Sequence, residues 1–302
     1  MSPSTTIVSS VTALERMLDR LATINTRPPP TERPALYLDL EGVQLGRHGS
    51  IAVLSLHFLP DAVTYLVDVH ELGKAAFDTK NRDDYSLRTI LEFPIPKVFF
   101  DVRNDSDALF NLYGIALGGV QDLQLMELAA NAGGYRPAER VSGLARCVER
   151  DLSVSSTEKL DWLQCKKHGQ MLFDPKKDGA YKIFNKRPLD PKIVDYCSRD
   201  VEILPSLWTT YAAQVCKPDG SGFWRDMIRE ASKKRVELAR EPWYDGQAPG
   251  KVSGPWDNEL VESAREDWNE DVLLMGVRFQ ATLEESSFGV FRWVKDGLEQ
   301  EY

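Results

Sequence analysis

Residues 36–43 read LYLDLEGV. The stretch is apolar enough for a buried strand, yet it carries Asp39 and Glu41 two positions apart. Side chains at that spacing share one face of a strand, about 7 Å apart along the backbone. Two carboxylates on one partly buried face repel each other and are costly to desolvate. Either the strand ends in an exposed acid pair, or a cation offsets the cost. Carboxylate oxygens suit hard divalent ions such as Mg²⁺ or Mn²⁺.

The flanks extend the strand into a sheet. SIAVLSLHF (50–58) and TYLVDV (64–69) read as two more strands, separated by short turn-rich gaps as in a meander. KVFFDV (97–102) is a further strand, SDALFNLYGI (106–115) a helix, 120–125 a short apolar piece, and a helix starts near 126. Upstream, Val11, Leu14, Met17, Leu18, Leu21 and Ile24 fall at helical intervals over 10–24. The following NTRPPPTERP cannot continue a helix. Antiparallel strands followed by strands alternating with helices predict an α/β fold, a mixed five- to six-stranded sheet flanked by helices.

Residues 189–215 carry the best helix signature. Asp190 suits the N-cap and Pro191 the first helical position. Ile193, Val194, Cys197, Val201, Leu204, Trp208 and Tyr211 form an apolar stripe, and Pro205 predicts a kink or break. Tyr196 and Asp200 lie one turn apart on a common face. In KVFFDVRNDSDAL an acid cluster follows a strand and opens a helix, a junction that commonly holds functional groups.

Composition narrows the class. The net charge of −9 argues against a chain that coats nucleic acid electrostatically. Within the acidic whole, residues 159–199 hold ten Lys and Arg against five Asp. The longest apolar runs fall far short of a membrane helix, and the N-terminus lacks signal-peptide features. An intracellular protein, cytoplasmic or nuclear, is expected. Cys147, Cys165, Cys197 and Cys216 form no CxxC pair, so reduced thiols are expected. The four histidines show no metal-ligand spacing, and no GxSxG, Walker or GxGxxG motif is present.

The ordered set of motifs resembles the DEDDy 3′–5′ exonucleases, with relatives in ribonuclease D and Egalitarian/EXD1-type domains. Its parts are Asp-x-Glu in LDLEGV, the strand-to-helix acid of KVFFDVRNDSDAL, GVQDLQLMELA, STEKLDWL, and the Tyr-x-x-x-Asp of NKRPLDPKIVDYCSRD. The likeness runs from about 35 to 211. It implies a ribonuclease H-like fold and metal ligands Asp39, Glu41, Asp105 and Asp200. Asp105 fits the K-V-F-F-x-x-R-x-D spacing, with Asp101 and Asp107 as competitors. It also implies two divalent cations, Mg²⁺ or Mn²⁺, and Tyr196 orienting the attacking water. The expected substrate is the 3′ end of a single-stranded nucleic acid, RNA favoured over DNA, cut to nucleoside 5′-monophosphates. Arg187, Arg199, Lys186 and Leu40 are candidate substrate contacts. The rival reading is a noncatalytic RNA-binding or scaffold protein on the same fold.

Three segments are expected: an N-terminal helix and connector (1–34), the exonuclease domain (35–215) and an acidic extension (216–302) open to a protein partner. Residues 164–183 form an insert relative to ribonuclease D-like proteins, either a substrate contact or a mobile loop.

Overall fold

A computed structural model describes residues 4–25, 33–131, 140–215 and 221–274. Its strands are β1 (Ser4–Val8), β2 (Leu36–Glu41), β3 (Val53–Phe58), β4 (Val63–Asp68), β5 (Lys97–Phe99) and β6 (Val120–Asp122). Its helices are α1 (Val11–Leu21), α2 (Val69–Leu72), α3 (Ala75–Asp78), α4 (Leu87–Glu92), α5 (Arg103–Tyr113) and α6 (Leu123–Asn131). They continue with α7 (Leu144–Asp151), α8 (Ser156–Phe173), α9 (Pro191–Glu202), α10 (Leu204–Val215), α11 (Ser221–Leu238) and α12 (Asn258–Leu274).

The six strands form one mixed sheet in the order β1-β4-β3-β2-β5-β6. The expected meander is present: β2, β3 and β4 pair antiparallel, with Asp39 opposite Ser55 and Glu41 opposite Val53. β5 and β6 then add in parallel beyond β2. The sixth strand comes from STTIV at the N-terminus, which pairs parallel with β4 at the far edge. Sequence reading passed over it because only Val8 is buried, and an exposed edge strand shows no apolar alternation.

Strand periodicity then sorts the faces of β2. Leu36, Leu38 and Leu40 join the cluster built with α1, α4 and α5. Tyr37 belongs to the cluster on the other face, and Asp39 and Glu41 share its parity. Their side of the sheet is the one crossed by α9, which packs on β2, β3 and β4.

Three expectations are revised. The helix signature of 189–215 resolves into α9 and α10, interrupted at Ile203. Pro205 lies in the first turn of α10, where its missing N–H costs no intrahelical bond. Helix α5 begins at Arg103 rather than 106, so Asp105 stands in its first turn and not in a preceding loop. Residues 164–173 are not a loop: α8 runs straight through them. A capping box starts that helix, with Ser155 Oγ accepting from the Glu158 amide and Glu158 Oε2 from the Ser155 amide.

The segment beyond 216 packs on the sheet through α11, which lies against β6, α5 and α6. Residues 275–302 and Cys216 fall outside the described residues. Cys147, Cys165 and Cys197 are free thiols. No helix among the described residues is long and apolar enough to cross a membrane.

Candidate active site

The acids of β2 and α9 meet. Ligand oxygens of Asp39, Glu41 and Asp200 all lie within 4.8 Å of one another. Asp39 and Glu41 arrive through the period of the strand, and Asp200 through the turn of the helix crossing it. Asp190 caps α9, its Oδ1 accepting from the Lys192 amide at 2.9 Å, and Pro191 opens the first turn. The apolar stripe of Ile193, Cys197 and Val201 fixes the rotation of α9 against the sheet, so Tyr196 and Asp200 face the strand acids.

Asp105 stands beside this trio rather than in it. Its Oδ1 accepts the Leu40 amide at 3.0 Å, which places it against the backbone between Asp39 and Glu41. Its two competitors are engaged elsewhere. Asp101 pairs with Arg103, with Arg235 and Lys251 close by. Asp107 takes the Arg47 guanidinium at 2.8 Å and the Arg47 amide at 2.7 Å. Of the three junction acids, Asp105 alone is tied to β2.

The trio is poor in compensating charge. Burial, then the neighbouring Asp200 carboxylate, pushes the Asp39 pKa up to about 7. Burial and then Asp39 raise Glu41 and Asp105 well above the usual carboxylate range. Burial also raises Asp200, against the pull of Lys166. Asp39 and Glu41 keep partial solvent access, so an ion can reach them. Clustered hard oxygens, solvent access and excess negative charge are what a divalent cation needs, and the residues present fit such an ion.

Tyr196 is buried at this cluster, and burial followed by Glu41 raises its pKa well above the usual phenol value. A phenol held neutral this firmly orients partners by hydrogen bonding and does not act as a base near neutrality. Lys166, on α8, contacts Asp200 directly and donates to the Tyr196 hydroxyl at 3.2 Å. The basic composition of 164–183 does not by itself reveal this role. The signal was present: continued past Leu163, the capped helix puts Lys166 one turn after Trp162 on the same face.

The remaining arginine candidates are engaged away from the acids. Arg187 pairs with buried Asp68 and donates to the carbonyls of Phe184 and Lys186. It fastens the approach to α9 onto the end of β4. Arg199 pairs with Asp161 on the surface between α9 and α8. Lys186 is exposed, and Leu40 is buried, contributing its amide to Asp105. His57 is hydrogen-bonded to Thr64, which donates on to Glu202.

The segment after 216 grips the junction that carries Asp105. Arg235 of α11 pairs with wholly buried Asp122 at 2.7 Å. Asp122 in turn accepts the amides of Asp101 and Val102 at 3.0 and 3.1 Å. Tyr244 and Lys251 donate to the Asn104 side chain at 2.9 and 2.8 Å. Arg47 donates to the carbonyls of Ala239, Glu241 and Pro242, fastening the chain just past the end of α11.

Known proteins share the fold and the family. A family model described as 3′–5′ exonuclease matches residues 5–214. The mouse piRNA biogenesis protein EXD1 is 32% identical over 128 residues, spanning 41% of this chain and 21% of that protein. Trypanosoma brucei RNase D in complex with RNA U12 superposes with a TM-score of 0.64 at 17% identity, covering 87% of this chain and 79% of that one. Its GMP complex gives a TM-score of 0.63 at 18% identity, over 86% and 71%. The catalytic core of RRP6 from the same organism gives 0.53 at 16%, over 78% and 52%. At these identities the solved structures establish the fold, and the family match establishes the lineage: the chain belongs to the 3′–5′ exonuclease family.

Proposed function

We propose that the chain degrades single-stranded RNA from its 3′ end, releasing nucleoside 5′-monophosphates. The observation that carries this reading is the convergence of Asp39, Glu41 and Asp200 with Tyr196 on one face of a central strand. The preference for RNA is supported by relatives, a piRNA biogenesis protein and an RNase D bound to RNA.

Asp39, Glu41 and Asp200 are the residues that would hold divalent cations, two Mg²⁺ or Mn²⁺, with Asp105 as the fourth ligand. Such ions supply positive charge against the phosphate oxygens and acidify water. The protein's own groups do the rest. The Tyr196 hydroxyl orients the attacking water. Water oxygen forms a bond to phosphorus as the bond from phosphorus to the 3′ oxygen of the preceding nucleotide breaks, and that oxygen leaves with a proton. Asp105 braces the strand between Asp39 and Glu41 through the Leu40 amide. Arg199 and Lys186, on the surface near α9, are the cations proposed to meet backbone phosphates.

The test is incubation of purified protein with 3′- and 5′-labelled RNA and DNA strands, with Mg²⁺ or Mn²⁺ and with a chelator. Stepwise shortening of 5′-labelled RNA that a chelator stops is expected. Intact strands under all metal conditions would favour an RNA-binding protein without catalysis.

A further inference from the structure

Lys166 is a cation built into an anion trap. Its ammonium contacts Asp200 directly, donates to the Tyr196 hydroxyl at 3.2 Å and lies 4.6 Å over the centre of the Tyr196 ring. Trp162, one turn earlier on α8, offers a second ring at 5.7 Å. The side chain is only 15% exposed.

The backbone is arranged to put it there. Trp162 Nε1 donates to the Arg199 carbonyl at 3.0 Å, pinning α8 to α9 beside Asp200. At Gly169, a Cβ would stand 2.5 Å from the Tyr196 ring. Only a glycine lets α8 lie this close to Tyr196, and that approach brings Lys166, one turn away, onto Asp200.

Three carboxylates share this single ammonium. The ammonium meets Asp200 at Oδ2, and the same carboxylate offers an oxygen within 4.8 Å of ligand oxygens of Asp39 and Glu41. A divalent ion held by those three acids and the ammonium would be like charges in contact, at a range where repulsion far exceeds thermal energy.

We propose that Lys166 is a positioning residue that exchanges with a divalent cation at Asp200: without metal it holds Asp200 and Tyr196 in register, and metal entry displaces it. The proposal rests on the exonuclease reading only for the use made of the metal.

The test measures Mn²⁺ binding to the full chain, without nucleic acid, by electron paramagnetic resonance. Lys166→Met removes the competing charge at nearly constant length and is expected to bind Mn²⁺ about tenfold tighter or more. Lys166→Arg, which keeps the charge, should stay within about threefold of the parent. A residue that merely supports the fold would weaken metal binding when removed. Equal or weaker Mn²⁺ binding by Lys166→Met overturns the proposal, as does a parent that binds no Mn²⁺.

A second measurement needs no variant. Lysine acylation of the parent, read by peptide mass spectrometry, should proceed about threefold faster or more at Lys166 when Mg²⁺ is added, with exposed Lys167 as the internal reference. An unchanged or slower rate at Lys166 overturns the exchange. RNA degradation by the parent is scored separately, so a protein that exchanges Lys166 for metal yet leaves RNA intact would sink the nuclease reading alone.

Discussion

Two groups of carboxylates sit on this sheet, and their surroundings differ. Before and within the first turns of α5 and at the end of β6, Asp101, Asp107 and Asp122 each have an arginine: Arg103, Arg47 and Arg235. On the α9 face, Asp39, Glu41 and Asp200 share Lys166 alone among the described residues. The first group is a scaffold, because each charge is met by a planar donor that holds it in one geometry. The second has one ammonium for three acids, the shortfall expected of the proposed cation site rather than of a structural network. The pKa directions follow. Burial opposes the ionised form of Asp101, but Arg103, Arg235 and Lys251 hold its pKa below the usual value, whereas Asp39 is pushed up to about 7.

The contrast can be broken most sharply at Asp39. Asp39→Ala should lower metal-dependent RNA degradation by about 10³-fold or more, since several kcal/mol of charge stabilisation depend on the ion. The same variant should melt higher than the parent in chelator, because one repelling charge is gone. A variant that melts lower and still degrades RNA would erase the distinction between the two groups.

Arg235→Met attacks the scaffold instead. It strips the guanidinium from wholly buried Asp122 and should cost about 3–5 kcal/mol in denaturant unfolding. Deleting 221–302 removes the same partner and should destabilise the core similarly. Unchanged stability would show that α11 is dispensable to the junction.

Tyr196→Phe tests the proposed orienting hydroxyl within the proposed cation site. Turnover should fall about 10- to 100-fold while Mn²⁺ affinity stays within about twofold. Equal turnover removes the tyrosine from the reaction.

pH separates the groups without mutation. A carboxyl whose folded pKa is raised contributes stability that is full below its unfolded value near 4 and is lost as pH rises through the folded value. For Asp39 that window ends near pH 7, so metal-free protein should become less stable between about pH 5 and 8. Asp101 works in the opposite sense, its contribution present above the unfolded value and lost on acidification. Thermal melts in chelator follow the first effect, and Asp39→Asn should flatten it. Stability that rises from pH 5 to 8 would contradict the assignment of Asp39. The smallest effect belongs to Arg199→Ala. Its half-exposed pair with Asp161 should be worth less than about 1 kcal/mol of stability.

Much of the site was legible in short stretches of chain. Asp39 and Glu41 follow from the two-residue period of a strand, and Tyr196 and Asp200 from the four-residue spacing of a capped helix. The choice of Asp105 over Asp101 and Asp107 rested on motif spacing alone. The physical ground for it is that arginines occupy the other two, Arg103 two residues from Asp101 and Arg47 sixty residues from Asp107. Lys166 was hidden because a basic insert looks the same whether it faces solvent or a buried acid. Arg187 looked free to meet a phosphate until Asp68, 119 residues away, was found beside it.

Local periodicity and capping dictated the strand β2, the helix α9 and the faces on which their acids lie, because backbone geometry is set within a few residues. Only the tertiary fold decided which acids are compensated and which are not. Coulomb energy depends on distance through space, and the chain separates Asp39 from Lys166 and Asp200 by well over a hundred residues before α8 and α9 fold back across β2.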